Sequence, residues 1–579
     1  MSLAIDETET RMTNAAGAFT FVLHSHLPYA RQAGMWPHGE EWVHEAIAET
    51  YVPLLNALYD LAEDGVAYRI TISVTPILAE QLADTLIQEH FLTYAEERAA
   101  WAAADIGRFE DAKDPDMKQL AIYYHHWYSR MLSSFRDRFQ SDILGALRKL
   151  QDDGFVEIST SAATHGYLPL LARDSSIFGQ LETGVRAYER HFGRKPKAIW
   201  LPECAYRPSY WDEEAGEQVN RPGIESFLAA QGIRVFFAET HSVEGGIPVG
   251  KAAGEAIGIY GAVARRYTLE LTPSEQEEPG TTYKAYWVGD AAGEVAVLGR
   301  NSRTGQQVWS GDFGYPGDLW YREFHRKDGV SGMQYWRIGG PGLDLGSKPT
   351  YDPNRAHERT ADHARHFASL VEELLQGYRD STGEYGIIAS NYDTELFGHW
   401  WFEGVDWIKE VLRLLVASDS VDLTTASTFV EAHNPDRVMA LPESSWGSGG
   451  NHFTWMNAET EWMWPIIHDA ERRMETLVET NPDASGTRAE LLNQAARELL
   501  LLQSSDWPFL VTTGQAKDYA SQRFTEHVDR FEALAAIADR GDEVTLEESD
   551  MLAALADRDN PFPTIDYRAF KERQGSAAR

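Results

Sequence analysis

Lys197-Ala198-Ile199-Trp200-Leu201-Pro202-Glu203-Cys204 is a short apolar run that ends abruptly in Pro-Glu-Cys. A run this short, followed by a loop carrying a carboxylate, reads as a buried strand whose carboxyl end bears a functional group. The same grammar recurs outward from it, in Phe19 to His26, Tyr68 to Val74, Phe155 to Ser159, Arg234 to Ala238 and Tyr385 to Ser390. Amphipathic stretches separate several of these runs. Arg359 to Tyr378 sets Phe367, Leu370, Val371, Leu374 and Leu375 at helical spacing, with Glu372 and Glu373 on the other side. Alternating strands and helices predict an α/β fold with a parallel sheet or (β/α) barrel, where functional residues gather at the carboxyl ends of the strands.

The chain has 579 residues, of which 43% are apolar, enough for one large catalytic domain and one or two smaller ones. Its single cysteine, Cys204, excludes an intrachain disulfide. The first seventeen residues lack the basic start and apolar stretch of a signal peptide, and no later run is long and apolar enough to span a bilayer. A cytoplasmic, monomeric protein is expected. Its 89 acidic against 52 basic residues give a net charge of −37, which repels nucleic acid and anionic membranes and leaves a neutral substrate as the better partner.

Two breaks in the alternation divide the chain. Past about Val405 no convincing strand is evident, while Val405 to Ala417, Arg488 to Gln503 and Ala520 to Asp539 read as helices. Residues 405–579 are therefore expected to form a helical C-terminal domain, residues 18–404 the barrel, and residues 1–17 a flexible extension. Between about Gly245 and Gln307, Gly, Pro and the acidic run Ser274 to Pro279 punctuate strand-like pieces at Thr282 to Val288 and Val295 to Gly299. This segment is expected to be a long loop or hairpin excursion overhanging a site.

Two acidic residues stand out, each at the end of a strand-like run beside aromatic rings. One is Glu203; the other is Asp393, in Ser390-Asn391-Tyr392-Asp393-Thr394-Glu395-Leu396-Phe397-Gly398-His399-Trp400-Trp401, with Glu395 and Glu403 as nearby competitors. Paired carboxylates are the minimal equipment for retaining glycoside chemistry, in which one attacks the sugar and the other moves the proton. His24 and His26 share one face of their strand and suit either sugar hydroxyls or, with His165 as a third ligand, a metal; core packing of either His competes with both. The Gly-rich stretch Pro442 to Asn457 holds Trp446 and Trp455 among polar turn residues, where rings serve to stack on sugars. Trp36 and Trp309 are similar cases.

These motifs, in this order, resemble glycoside hydrolase family 57. His26-Leu27-Pro28-Tyr29, His165-Gly166-Tyr167-Leu168-Pro169, Trp200 to Tyr206, Tyr392 to Trp401 and Trp446 to Trp455 look like the family's five motifs, and the likeness runs from about Phe19 to Phe570. The subgroup it is most similar to is that of the α-1,4-glucan branching enzymes. The resemblance implies a distorted (β/α)7 barrel with a small inserted domain after the nucleophile strand, near residues 204–231, and a helical C-terminal domain lending aromatic residues to the site. It implies Glu203 as nucleophile and Asp393 as general acid/base, with His24, His26 and His165 on the sugar. Trp36, Trp309, Trp400, Trp446 and Trp455 would line subsites. It also implies an α-1,4-glucan as donor and acceptor, and neither metal nor organic cofactor. An alternative within the family is a mainly hydrolytic α-amylase or a 4-α-glucanotransferase. Relative to the family, Tyr267 to Gly293 looks inserted, and the loop-tip tyrosine that favours transfer could be Tyr260, Tyr267 or Tyr283.

Overall fold

Seven short parallel strands close on one another in a ring. The structure, a computed structural model, describes residues 15–573 except 215–216, 249–256, 259–260, 263–266, 268, 270, 275, 277, 311–313, 341 and 542. The ring consists of β1 (Gly17–Ser25), β2 (Ile70–Val74), β3 (Val156–Ser159), β4 (Ala198–Ile199), β5 (Val235–Ala238), β6 (Ala296–Gly299) and β7 (Gly386–Asp393). β1 pairs with β2 and β2 with β3; β4 pairs with β5 and β5 with β6. Single parallel bridges, Thr160 to Ile199 and Arg300 to Ala389, join the two arcs, and β7 closes the ring on β1 from Gly17↔Gly386 to His24↔Asp393. The result is a (β/α)7 barrel, distorted where two of its seams hold by one bridge each. β1 is buried along its whole length, which explains its nearly unbroken apolar run.

Helices fill the crossovers. Pro353–Thr382 starts on an Asp352 side chain that accepts the Asn354 and Arg355 N–H groups, and ends at left-handed Gly383. Between β2 and β3 a helical hairpin, Thr85–Asp111 and Pro115–Ser133, packs outside the ring; its helices are capped by Asp84 and Asp114. The chain at 204–231 carries a two-stranded hairpin, Tyr210–Glu214 with Glu217–Arg221, and the helix Ile224–Ala230.

Three sequence-based boundaries are corrected. Ala296–Gly299, expected within a loop excursion, is the sixth barrel strand; its antiparallel partner Ala285–Val288 gives it the outward look of a hairpin arm. Strands also occur beyond Val405. β8 (Val421–Leu423) pairs with β1 at Gly17 to Phe19, beside the stretch from Val22 onward that β2 occupies, and Val438–Met439 pairs with Ala285–Val288. At three and two residues these are too short to show a period in the sequence. The N-terminal extension lies outside the described residues as far as residue 14; Ala15 and Ala16 are buried and Gly17 opens β1.

The C-terminal region is helical. Met463–Thr480, Thr487–Leu502 and Lys517–Arg540 surround a core of Leu491, Leu492, Leu499, Leu500 and Leu502, and the short helix Asp506–Thr513 turns back to the barrel mouth. Among the described residues no helix is long and apolar enough to cross a membrane.

Candidate active site

Three residues at the carboxyl ends of β3 and β4, His165, Glu203 and Cys204, take left-handed backbone conformations with φ of 58°, 60° and 48°. For a side-chain-bearing residue this costs about 1–2 kcal/mol each. Strain of this sort collects where surrounding structure fixes a functional group. Here it turns Glu203 out of the β4 direction and into the barrel mouth.

The Glu203 carboxyl is held from both sides by residues more than two hundred positions away. Trp446 Nε1 donates to Oε2 at 2.7 Å and Ser505 Oγ donates to Oε1 at 3.1 Å. The Trp446 N–H also donates to the Glu203 backbone carbonyl at 3.1 Å. Burial pushes the Glu203 carboxyl up to about 7, against the two side-chain donors, which favour the anion. The nucleophile role that the family resemblance implies for Glu203 requires the ionised form, so kcat/KM for glucan is expected to decline as pH falls through about 7, tenfold per unit at the limit. A profile still flat at pH 5 counts against Glu203 as the attacking group. Trp446→Phe removes a donor that favours the anion and is expected to move this acid limb to higher pH while lowering kcat/KM about tenfold to a hundredfold. An unmoved limb in Trp446→Phe contradicts this role for the indole.

The three histidines of the motifs form one stack beside Glu203. His24 Nε2 meets His165 Nε2 at 3.1 Å, and the rings of His26 and His165 lie 3.9 Å apart. Trp200 stacks on His24 at 4.7 Å and stands edge-on to Trp446 at 5.0 Å. Burial and the two neighbouring imidazoles hold His165 well below its ordinary range, so its 3.8 Å approach to Glu203 joins a neutral ring to a carboxyl and is not an ion pair. His26 behaves oppositely. Burial disfavours its charged form, but Asp506, at 3.1 and 3.2 Å from Nε2, outweighs that and raises it.

Asp393 ends β7 in register with His24, so both side chains project to the same face, and Asp393 is partly open to the cleft. Its competitors are committed elsewhere. Glu395 is buried, accepts the His26 N–H at 3.2 Å and the Tyr51 hydroxyl, and is pushed up to about 8, chiefly by burial. Glu403 accepts the Arg322 N–H at 3.1 Å and the Tyr351 hydroxyl at 2.6 Å, and lines a separate cavity between the outer helices.

The aromatic candidates divide. Trp36 is 77% exposed on the loop after β1 and presents an open ring. Trp309 ends the helix Ser302–Trp309 half-buried, and Trp400 stacks on Phe324 at 4.3 Å. Trp455 is 1% exposed and stacks on Tyr167 at 4.4 Å. Its ring is packing here, contrary to the sugar-facing position expected from its polar sequence neighbours; a Cβ at Gly447 would come within 2.6 Å of this ring, so the glycine leaves room for it to fold inward. At Gly450, with φ of +70°, a Cβ would come within 2.6 Å of His241 Nε2 and 2.8 Å of Pro248, so the 239–248 segment lies directly on this loop. Of the candidate loop tyrosines, Tyr260 lies outside the described residues. Tyr267 donates to Glu459 and meets Phe453 edge-on, on the Trp446 to Trp455 side. Tyr283 stacks on Tyr378, and its carbonyl accepts the Ile387 N–H at the start of β7, far along that strand from Asp393.

Ser505 and Asp506 were not foreseen. Their signal is a polar Ser-Ser-Asp trio, residues 504–506, between the Leu-rich helix and Trp507-Pro508. Tyr51 and Glu49 were missed too. They sit on a single π-helical turn, Ile47–Tyr51, which periodicity does not reveal. Gly398, with φ of +101° and space for a Cβ only 1.8 Å from the Glu49 carbonyl, lets the β7 motif lie against that turn.

A seven-stranded barrel with two carboxyls and a histidine stack at the carboxyl ends of its strands is an arrangement suited to glycoside chemistry. Comparison with known proteins narrows the class. Residues 20–442 match Glycosyl hydrolase family 57, and residues 466–570 match the C-terminal domain described as 1,4-alpha-glucan branching enzyme, C-terminal. The chain is 47% identical over 551 residues to a 1,4-alpha-glucan branching enzyme of Thermococcus kodakarensis, covering 95% of this chain and 78% of that protein. A probable 1,4-alpha-glucan branching enzyme of Mycobacterium tuberculosis is 30% identical, with 91% and 93% covered. The crystal structure of the Thermococcus family 57 branching enzyme superposes with a TM-score of 0.86 at 44% identity, covering 97% of this chain and 98% of that one. The α-amylase AmyC of Thermotoga maritima gives 0.78 at 30%, covering 96% and 99%. The chain belongs to glycoside hydrolase family 57.

Proposed function

We propose that this family 57 enzyme is a 1,4-α-glucan branching enzyme that cleaves α-1,4 bonds and transfers the freed chain to a 6-hydroxyl. The observation that carries the reading is the origin of Ser505 and Asp506. Both come from the segment matching the branching-enzyme C-terminal domain, and they hold Glu203 and His26 respectively. Support also comes from the curated relatives, two of which bear that activity in their descriptions across nearly the whole of this chain.

In this reading Glu203 attacks C1 of an internal glucose while Asp393 protonates the departing oxygen, leaving a maltooligosyl-enzyme. Asp393 then takes the proton from an acceptor 6-hydroxyl, which displaces Glu203 from C1 and forms the α-1,6 branch; water in the acceptor's place gives hydrolysis. The stack of His24, His26 and His165 supplies donors and acceptors for the sugar at the cleavage point, with Trp36, Trp309, Trp400 and Trp446 along the flanking subsites. Trp455 supports the wall from behind. The physiological setting is the cytoplasm, with an α-1,4-glucan as both donor and acceptor. For domains, the proposed barrel unit extends beyond residue 404 to include β8, and the helical domain begins near Met463.

The amylase alternative keeps one supporting fact, the likeness to AmyC. Exclusion of water decides between the two outcomes. Tyr267 is the described tyrosine of the long loop that lies against the Trp446 to Trp455 segment. Tyr267→Ala is expected to raise reducing ends released per branch formed; a change of about 1.4 kcal/mol between the two barriers would be tenfold. An unchanged ratio in that variant removes Tyr267 from control of transfer.

A further inference from the structure

Away from the catalytic cleft, Glu40, His44 and His90 bring one carboxylate oxygen and two imidazole nitrogens within 4.8 Å of one another. Glu40 and His44 lie one turn apart on the helix Glu40–Ala46, with Oε2 and Nε2 3.8 Å apart. His90 arrives from the long helix Thr85–Asp111 and sets Nδ1 2.5 Å from the same Oε2.

His44 is the unusual member. It is 0% exposed, yet neither Nδ1 nor Nε2 has a hydrogen-bond partner. Phe91 and Tyr94 flank the ring at 6.2 and 5.6 Å. A buried polar group left unsatisfied costs about 1–3 kcal/mol, a cost that a metal bound to this ring would relieve. The other Glu40 oxygen accepts the Gln32 N–H at 2.8 Å and fixes the carboxylate plane, the outer-shell support that metal-binding carboxylates commonly show.

We propose that Glu40, His44 and His90 form a binding site for a divalent transition metal, zinc by its two-imidazole, one-carboxylate donor set, with solvent completing the coordination. Ligand bonds of about 2.0–2.2 Å need donor atoms roughly 3.3 Å apart in a tetrahedron. The present separations of 2.5 and 3.8 Å straddle that value, and the half-exposed His90 has room to adjust. The ion would act on the loop after β1. Glu40 already ties that loop through its side chain to Gln32 and through its own N–H to the Gly34 carbonyl, at 3.0 Å, on either side of the turn leading to Trp36. A metal on Glu40 would fix this knot, a role separate from glycoside chemistry.

The test is a titration of chelator-stripped protein with Co2+, followed by competition with Zn2+. One equivalent is expected to give an intense visible spectrum of four-coordinate, nitrogen-ligated cobalt, bleached by one equivalent of zinc. His90→Ala, at a side chain 38% exposed and therefore safe for folding, is expected to weaken binding at least about tenfold, and Glu40→Gln similarly. Zinc should raise the melting temperature of the unmodified protein and not of His90→Ala. The proposal is overturned by a pale six-coordinate spectrum indifferent to His90→Ala, the signature of surface carboxylates alone, or by no binding.

Discussion

Glu203→Gln is expected to cut glucan turnover by at least about 10⁴-fold, the scale on which loss of a covalent nucleophile acts. The amide keeps the shape of the carboxyl but cannot attack C1. Stability should not suffer. The site already disfavours the Glu203 anion by burial; the amide oxygen can still accept from Trp446 Nε1, and the Ser505 hydroxyl can turn to accept from the amide NH2. The loss should therefore appear in kcat with the melting temperature maintained, and both reducing-end release and branch formation should vanish together. A variant that keeps a tenth of its activity would remove Glu203 from the chemistry and place the attack on another group.

Asp393→Asn is expected to lower turnover of amylose by about 10²–10⁴-fold, the usual worth of a positioned acid and base. The effect should depend on the leaving group. A maltooligosyl fluoride needs little protonation to depart, so the first step should survive while the second, which needs a base, stalls. Intact mass spectrometry is then expected to show protein carrying one maltooligosyl unit. Equal loss on fluoride and amylose, with no adduct, would place the proton transfer elsewhere. Glu395→Gln is the informative control. Its carboxyl is engaged by the His26 N–H and Tyr51, so this variant should disturb the His26 region without trapping an adduct.

The strand rhythm was legible in the sequence because parallel barrel strands are buried on both faces and leave nearly unbroken apolar runs, as in Phe19 to Leu23. Six of the seven barrel strands announce themselves this way. The sixth, Ala296–Gly299, is strand-like in sequence too but reads as part of a surface excursion, because its neighbouring hairpin arm and the Gly-, Pro- and acid-rich run before it surround it with loop signals. β8 escapes notice for a different reason: three residues beside β1 gain their place from tertiary pairing and carry no local period. Glu203 and Asp393 could be picked out as carboxylates stranded at strand ends among aromatic rings. The sequence could not show that Trp446 donates to Glu203 while the neighbouring candidate, Trp455, turns inward onto Tyr167. Nor could it show Ser505 and Asp506 reaching Glu203 and His26 across about three hundred and nearly five hundred residues. Such contacts belong to the docking of the helical region on the barrel mouth, and only the folded chain displays them.

The central claim is branching by a retaining mechanism, and incubation with amylose tests it most directly. Reducing ends are counted first, and the product is then treated with an enzyme specific for α-1,6 bonds. The expected result is few reducing ends before that treatment and many new short chains after it. Abundant reducing ends at the start, with nothing released by debranching, would contradict the claim and leave a hydrolytic amylase of the same family.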